Sequence, residues 1–330
     1  MEHEFKNKLI LVTGGTGSIG SEIVRLLLPY HPRQIRVYSR DETKQFELEQ
    51  DLQAGARVRF LVGDVRDKER LNMAMENVDI VFHAAALKHV YACENNPFEA
   101  VKTNVQGTQN VIDCAFANKV DRVIGISTDK ATDPTNVMGC TKLLAEKIML
   151  ATYFYKGEKK TKFCFVRFGN VLGSRGSVIP LFLKQIKNGG PVTVTHPEMT
   201  RFFMTVGDAV NLVFKAATLM QDREIFILKM PVVKILDLAK VLLSLKKENK
   251  GIQIKIIGKK NGERLHEKLL TAEEAENALE TKDMFIIIPR EKLALQKSEH
   301  LYQGAALTKR KEFYSKNERK LTVKEIQKML

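Results

Sequence analysis

LILVTGGTGSIGSEIVRLLL, residues 9–28, passes from a short apolar run through three glycines into a helical pattern. Leu9, Ile10, Leu11 and Val12 are apolar, and the run stops at Thr13. Gly14, Gly17 and Gly20 follow at three-residue intervals, with Thr16, Ser18 and Ile19 between them. Ile19, Ile23, Val24, Leu26 and Leu27 then recur at helical spacing. Strand, glycine turn and helix in that order aim backbone N–H groups and a helix N-terminus at one point, which suits a pyrophosphate. A side chain at Gly14 or Gly17 would hold phosphates off, and one at Gly20 would lift the helix from the strand. Glycines also mark ordinary tight turns, but the position between a buried strand and an amphipathic helix favours nucleotide binding. Gly14, Thr16, Gly17, Ser18 and Ile19 are therefore candidate dinucleotide contacts.

The surrounding composition fits such a role. The chain has 330 residues, 44% hydrophobic and 28% charged, enough for one large core or two unequal ones. No apolar run approaches the ~18 residues that span a bilayer, and MEHEFKNK has no signal-peptide pattern, so a cytoplasmic location is expected. Cys93, Cys114, Cys140 and Cys164 lie far apart and suit reduced thiols, while the seven histidines show no ligand spacing, so no metal is expected. The net charge of +14 raises a nucleic-acid partner. Much of the excess lies in KKENK (246–250), KK (259–260), KRK (309–311) and KNERK (316–320), broken by acids and without interleaved aromatics. A solvated basic face that attracts an anionic substrate is the better reading; neither nucleic acid nor membrane is expected as a partner.

Further strands are expected at 34–39, 57–65, 78–86 and 121–127, separated by helical segments that include 97–119. Such alternation indicates a parallel, doubly wound sheet whose ligands lie outside the carboxyl ends of the strands. At the end of the second strand, Ser39, Arg40 and Lys44 suit the 2′-phosphate of NADP, whereas Asp41 would suit the 2′-hydroxyl of NAD; NADP is favoured, with the choice open. Asp64, followed by Val65, stands where an adenine amino group would be met, and Ala84, Ala85 and Ala86 let a flat ring approach the backbone. His83 and His89 flank that end and receive no role. Asn104 should face the cofactor. Chemistry should begin where the fifth strand ends, at Ser127-Thr128-Asp129-Lys130, next to a helix over 136–150 that places Met138 and Lys142 on one face.

These residues resemble the extended short-chain dehydrogenase/reductases. More narrowly, GGTGSIG, SRDETKQ, GDVRD, HAAALKHV, STDKAT, NPFEAVKTN, RFGNVLGSRGSVIP, MTRFFM and GERLHEKLL resemble the UDP-N-acetylglucosamine 4,6-dehydratases, the capsule and flagellin-sugar branch that includes C5-inverting members. The resemblance runs from about residue 6 to about residue 290. It implies an α/β chain. A doubly wound parallel Rossmann sheet would occupy residues 1–168, with helices near 206–220 and 234–245 packing back on it. A smaller substrate-binding domain and tail would occupy 169–330. In two places the sequence departs from the pattern. Short-chain dehydrogenases read Y-x-x-x-K, and here Met138 takes the tyrosine position, as in some members of this branch; a thioether exchanges no proton. Lys260 stands where an arginine is usual.

The resemblance further implies that NADP takes hydride from C4 of the sugar, so that the C5 hydrogen becomes acidic and the C6 hydroxyl leaves as water. The hydride then returns to C6. Thr128 would bond the C4 oxygen, Asp129 would act as acid to the leaving hydroxyl, and Lys130 as base at C5. Those roles require burial to raise the carboxyl and lower the amine. Lys142 would bind the nicotinamide ribose. Lys88, Asn170, Arg175 and Val178 would lie over the sugar and nicotinamide, and Arg201 would clamp the diphosphate of UDP-N-acetylglucosamine with its forked guanidinium. Glu263, with Lys260 before it, would accept from the uridine ribose. Homo-oligomers, a dimer or hexamer, would form through helices near 97–119 and 136–155. Thr322 and Glu325 form a capping box before a last helix, either docked on a neighbouring subunit or frayed. A 4-epimerase, a silent sugar-nucleotide sensor and a nucleic-acid-binding protein remain the rivals.

Overall fold

The structure, a computed structural model, describes residues 2–245, 251–291 and 302–330; the basic run 246–250 lies outside them. Its centre is a sheet of ten strands. In chain order these are β1 (Leu9–Thr13), β2 (Gln34–Ser39), β3 (Val58–Val62), β4 (Ile80–His83), β5 (Arg122–Ile126), β6 (Lys162–Arg167), β7 (Glu224–Leu228), β8 (Ala278–Glu280), β9 (Met284–Ile287) and β10 (Ala306–Leu307). Across the sheet the order is β3-β2-β1-β4-β5-β6-β7-β9-β8-β10. The first seven are mutually parallel, and β9, β8 and β10 close the edge antiparallel. All five residues of β1 are buried, as a strand covered on both faces requires. The strand order reverses at β1/β4, which sets a crevice at the carboxyl ends of these strands. The fold is the doubly wound α/β sheet expected, and two further parallel strands extend it.

Helices cover both faces: α1 (Ser18–Leu27), α2 (Glu42–Leu52), α3 (Lys68–Met75), the helical segment α4 (97–117) and α5 (Val137–Leu150). α4 widens by one i→i+5 turn over Val101–Gln106. The wide turn holds Asn104, whose amide bonds both the N–H and the carbonyl of Leu87 and the Thr141 hydroxyl. Asn104 thereby fastens the loop after β4 to α5.

A second, smaller core gathers α6 (Val178–Lys187), α8 (Ile235–Ser244), α9 (Val323–Met329) and the strands Val192–Val194, Thr200–Met204 and Val232–Lys234. Between α6 and α8 in sequence, α7 (Val206–Leu219) packs on α1, β5 and β6, with Phe214 5.9 Å from Phe82. The expectation that 234–245 joins that sheet is corrected. Leu238, Val241 and Leu242 face Phe182, Val194 and Ile326 instead. An amphipathic helix shows its apolar face but not which core receives it. The last helix, expected to be either frayed or docked on a neighbouring subunit, is capped and packs on its own chain through the buried Ile326. Phe313–Tyr314 pairs with Lys268–Leu270, Leu321 N–H donates to the Val232 carbonyl, and Thr322 and Glu325 complete the capping box.

Candidate active site

The glycine turn is closed to side chains where the sequence suggested. Gly14 has φ +65°, and a Cβ there would stand 2.7 Å from the Ala85 nitrogen. A Cβ on Gly20 would stand 2.3 Å from the Gly14 carbonyl oxygen. Gly17 is the N-cap of α1 without side-chain capping, and the first turn holds no acid, so its N–H groups face the turn unclaimed by side chains. Thr16 is buried, and its carbonyl accepts from the Arg175 guanidinium. Arg175 N–H donates to Ser18 Oγ at 3.2 Å, and Lys88 Nζ to the Arg175 carbonyl at 2.9 Å. The 174–177 loop is thus strapped over the turn. Gly20→Ala is expected to cost about 2–3 kcal/mol through this backbone clash and to abolish dinucleotide binding, read by thermal unfolding and cofactor titration.

At the end of β2, Ser39 is buried with Oγ accepting from Gln45 Nε2 at 3.0 Å. Asp41 caps α2 and pairs with Lys44, so Lys44 meets the site already neutralised. Arg40 stays about half exposed, 3.6 Å from Asp64. Asp64 is less free than its position in the sequence suggested. Arg66 donates to it through N–H, Nε and Nη2 at 2.9, 2.9 and 2.7 Å. Burial alone would raise the Asp64 carboxyl, but the Arg66 bonds outweigh it and hold it low. Arg66 went unnoticed because a surface arginine two residues past an acid has no distinctive pattern. Val65 packs beneath Gly107 of α4.

Ala84, Ala85 and Ala86 are half-buried beside the glycine turn. His83 is sealed between the Thr13 and Thr108 hydroxyls, at 2.8 and 3.2 Å. Burial, with Lys142 adding, pushes its pKa down to about 3, so it is a neutral strut between β1, β4 and α4.

Past the end of β5 the chemistry-bearing groups converge. Asp129 is fully buried and its Oδ1 accepts from the Thr128 hydroxyl at 2.9 Å and from Lys130 Nζ at 2.9 Å. Its Oδ2 has no hydrogen-bond partner among the described residues and lies against Gly169, next to Asn170. Lys130 Nζ is also 3.4 Å from Glu267 Oε1. Burial, the largest influence, pulls the Lys130 pKa down, but Asp129 and Glu267 together overcome it, and the net direction is upward. The lowering by burial that the base role requires is therefore not found for the isolated lysine, because two carboxylates face this ammonium.

Lys142 is buried, donates to the Ile126 carbonyl at 2.5 Å, and is pushed down by burial to about 8. Met138 is packed with Cys93 and Ala100. Val178 opens α6 beside the 174–177 loop, half-buried.

Arg201 does not present a free fork. Nη1 donates to the carbonyls of Thr200 (2.8 Å) and Leu265 (3.2 Å), and Nη2 to that of Arg264 (2.8 Å). Nε lies 3.7 Å from Glu267, and Nη2 3.9 Å from Glu263. Three of its five N–H groups thus brace the 263–267 loop, which leaves Nε and one Nη2 N–H for the diphosphate clamp expected of it. Glu263 accepts from the Lys260 N–H at 3.2 Å, at the exposed rim of this loop. Glu267, three residues beyond Arg264, was missed although it closes the same GERLHE motif.

Comparisons with known proteins agree with this geometry. Residues 10–289 match the family model described as "Polysaccharide biosynthesis protein". An "Uncharacterized membrane protein MJ1061" of Methanocaldococcus jannaschii is 57% identical over 290 residues, 86% of this chain and 87% of that one. A "UDP-N-acetylglucosamine 4,6-dehydratase (inverting)" of Campylobacter jejuni is 45% identical, covering 86% of this chain and 84% of its own. A "UDP-glucose 4-epimerase" of Rickettsia rickettsii is 40% identical, covering 99% and 96%. The chain belongs to the polysaccharide biosynthesis protein family, in the branch of the UDP-N-acetylglucosamine 4,6-dehydratases.

Proposed function

We propose that the protein is a UDP-N-acetylglucosamine 4,6-dehydratase that inverts C5, with NADP as its recycled cofactor. The observation that carries this reading is the Asp129–Lys130 pair, buried at the carboxyl end of β5 with one carboxylate oxygen unpartnered. An epimerase needs neither group. The glycine turn, closed to Cβ atoms at 14 and 20, fits a dinucleotide pyrophosphate, with Thr16, Gly17, Ser18 and Ile19 around it. The bound nicotinamide would supply oxidation at C4 and reduction at C6.

The chain's own residues would handle the protons. Lys130 passes one proton along its 2.9 Å bond to Asp129 Oδ1, so that the ion pair becomes a carboxylic acid and a free amine with no change in total protons. In a desolvated site, where an ion pair loses its solvation advantage, this exchange is less unfavourable than in water. Asp129 then protonates the departing C6 oxygen while Lys130 takes the C5 proton, and the pair is again ionised. Thr128, already at Asp129, reaches the C4 oxygen, and Lys142, near 8, holds the ribose and helps a water take the proton that tyrosine takes elsewhere. New protonation on the other face of C5 gives inversion. Incubation with UDP-N-acetylglucosamine in deuterated water should place one solvent deuterium at C5 and none at C6 by hydride transfer. A product that keeps its C6 hydroxyl would instead establish the epimerase reading, which the Rickettsia relative favours.

Arg40 and the Ser39 hydroxyl support NADP; tighter binding of NAD in parallel titrations would reverse that choice. Tyr91, Phe98 and Leu144 are exposed around an apolar groove lined by Pro97, Val101, Val137 and Cys140, which suits a second copy of the chain. Phe98→Asp is expected to shift the sedimenting species from oligomer to monomer. Arg310 and Arg319 are paired with Glu318 and Glu325, which supports a solvated basic face rather than a nucleic-acid site. Among the described residues no helix is long and apolar enough to cross a membrane.

A further inference from the structure

Glu267 is only 2% exposed, a carboxylate carried into the interior. Its backbone is bolted in place without the carboxylate. The amide donates to Ser315 Oγ at 2.9 Å, and the carbonyl accepts from Ser315 N–H at 2.9 Å. Ser315 Oγ in turn meets Thr200 Oγ1 at 2.8 Å. The side chain then reaches inward. Oε1 lies 3.4 Å from Lys130 Nζ and 3.7 Å from Arg201 Nε, and Oε2 has no hydrogen-bond partner among the described residues. A buried carboxylate with a free oxygen is a poor structural solution, since desolvation goes uncompensated at that atom. Arg201 is tied by its Nη donors to backbone carbonyls and approaches Glu267 only through Nε, farther off than Lys130.

We propose that Glu267 is a positioning residue for Lys130, a second carboxylate seat beside Asp129 that fixes where the ammonium stands and how firmly it keeps its proton. Lys130 is faced by Asp129 and Glu267, which favour its charged form, and by Arg201, which opposes it. Sliding Nζ from Asp129 toward Glu267 frees Asp129 Oδ1 without exposing the ammonium to an apolar wall. The seat is supplied by the C-terminal part of the chain, so the proton-transferring pair is complete only when that part is docked. In its kinetic consequences this inference rests on the dehydratase reading; in its effect on Lys130 it does not.

Two variants of the full-length protein test it, Glu267→Gln and Glu267→Asp. Removing the negative charge lowers the affinity of Lys130 for its proton. In Glu267→Gln the Lys130 titration, followed by NMR of isotopically labelled lysine, should move toward lower pH by about one unit or more, and in Glu267→Asp by less. The limb of the kcat–pH profile carried by Lys130 should move in the same direction. At neutral pH, kcat should fall about tenfold or more with KM for the nucleotide sugar changed less than about twofold, and Glu267→Asp should recover part of the loss. A Lys130 titration that stays in place in Glu267→Gln overturns the proposal. So does a loss of kcat that leaves the pH profile unmoved, which is the signature of a purely structural role. If the wild-type protein does not dehydrate the sugar, the functional reading fails, and the NMR titration still decides the role of Glu267.

Discussion

Asp129→Asn is expected to stop the loss of water while leaving oxidation of the sugar in place. Asparagine keeps the shape of the side chain, and its carbonyl oxygen can still accept from Thr128 and Lys130, as Oδ1 does now. It cannot receive the Lys130 proton and hand it to a leaving hydroxyl. It also removes the nearer of the two negative charges that keep Lys130 protonated. Overall turnover should drop by on the order of 10²–10⁴-fold, the range for loss of a positioned proton-transfer group. Because Lys142 and the glycine turn are untouched, reduced nicotinamide should build up on the enzyme and be visible by its near-ultraviolet absorbance. Turnover within about fivefold of wild type would remove Asp129 from the chemistry.

The largest stability effect is expected at Arg167, the bulkiest fully buried side chain. Its guanidinium binds Glu146 of α5 at 2.7 Å, Glu274 at 3.0 Å through both Nη atoms, and the Leu269 carbonyl at 3.0 Å. Glu146 also accepts from the Ser127 hydroxyl, next to Thr128. Arg167→Met strips the cation in direct contact with both carboxylates, and should cost about 3–5 kcal/mol in urea unfolding at neutral pH. Neutralising all three groups together, as Arg167→Met with Glu146→Gln and Glu274→Gln, should recover much of that loss.

The pH dependence separates the two proteins. In the wild type, burial raises the Glu274 carboxyl but Arg167 outweighs it and holds it low. Its contribution is therefore present above the ordinary glutamate pKa and fades as pH falls through the folded value. In Arg167→Met burial, the largest influence, is opposed only by the Thr271 N–H bond and by Lys147, so Glu274 should take up a proton more readily when folded than unfolded, and stability should recover as pH is lowered toward 5. Continued loss of stability on acidification of the variant would contradict this account.

What the sequence disclosed was local. The glycine turn could be read because its geometry is forced within ten residues, by Gly14 at positive φ and Gly20 against the Gly14 carbonyl. The capping box at Thr322 and Glu325 and the turn at Thr128–Lys130 were legible for the same reason. Features that depend on distant partners were not. That the ammonium of Lys130 meets a second carboxylate could not be seen, because Glu267 lies far along the chain while Asp129 is its neighbour. Arg201 looked like an open fork because the carbonyls of Arg264 and Leu265 that it also binds lie over sixty residues away. The destination of α8 could not be told from its apolar face alone.

The bond between Ser315 and the Glu267 backbone orders events during synthesis. The nucleotide turn and the parallel strands leave the ribosome well before residue 315, and domains fold as their segments emerge. A partly made chain can thus grip the dinucleotide while the acid that steadies Lys130 is still unanchored. Loss of water from the sugar, the step that needs that acid, is then completed only after the last residues have emerged.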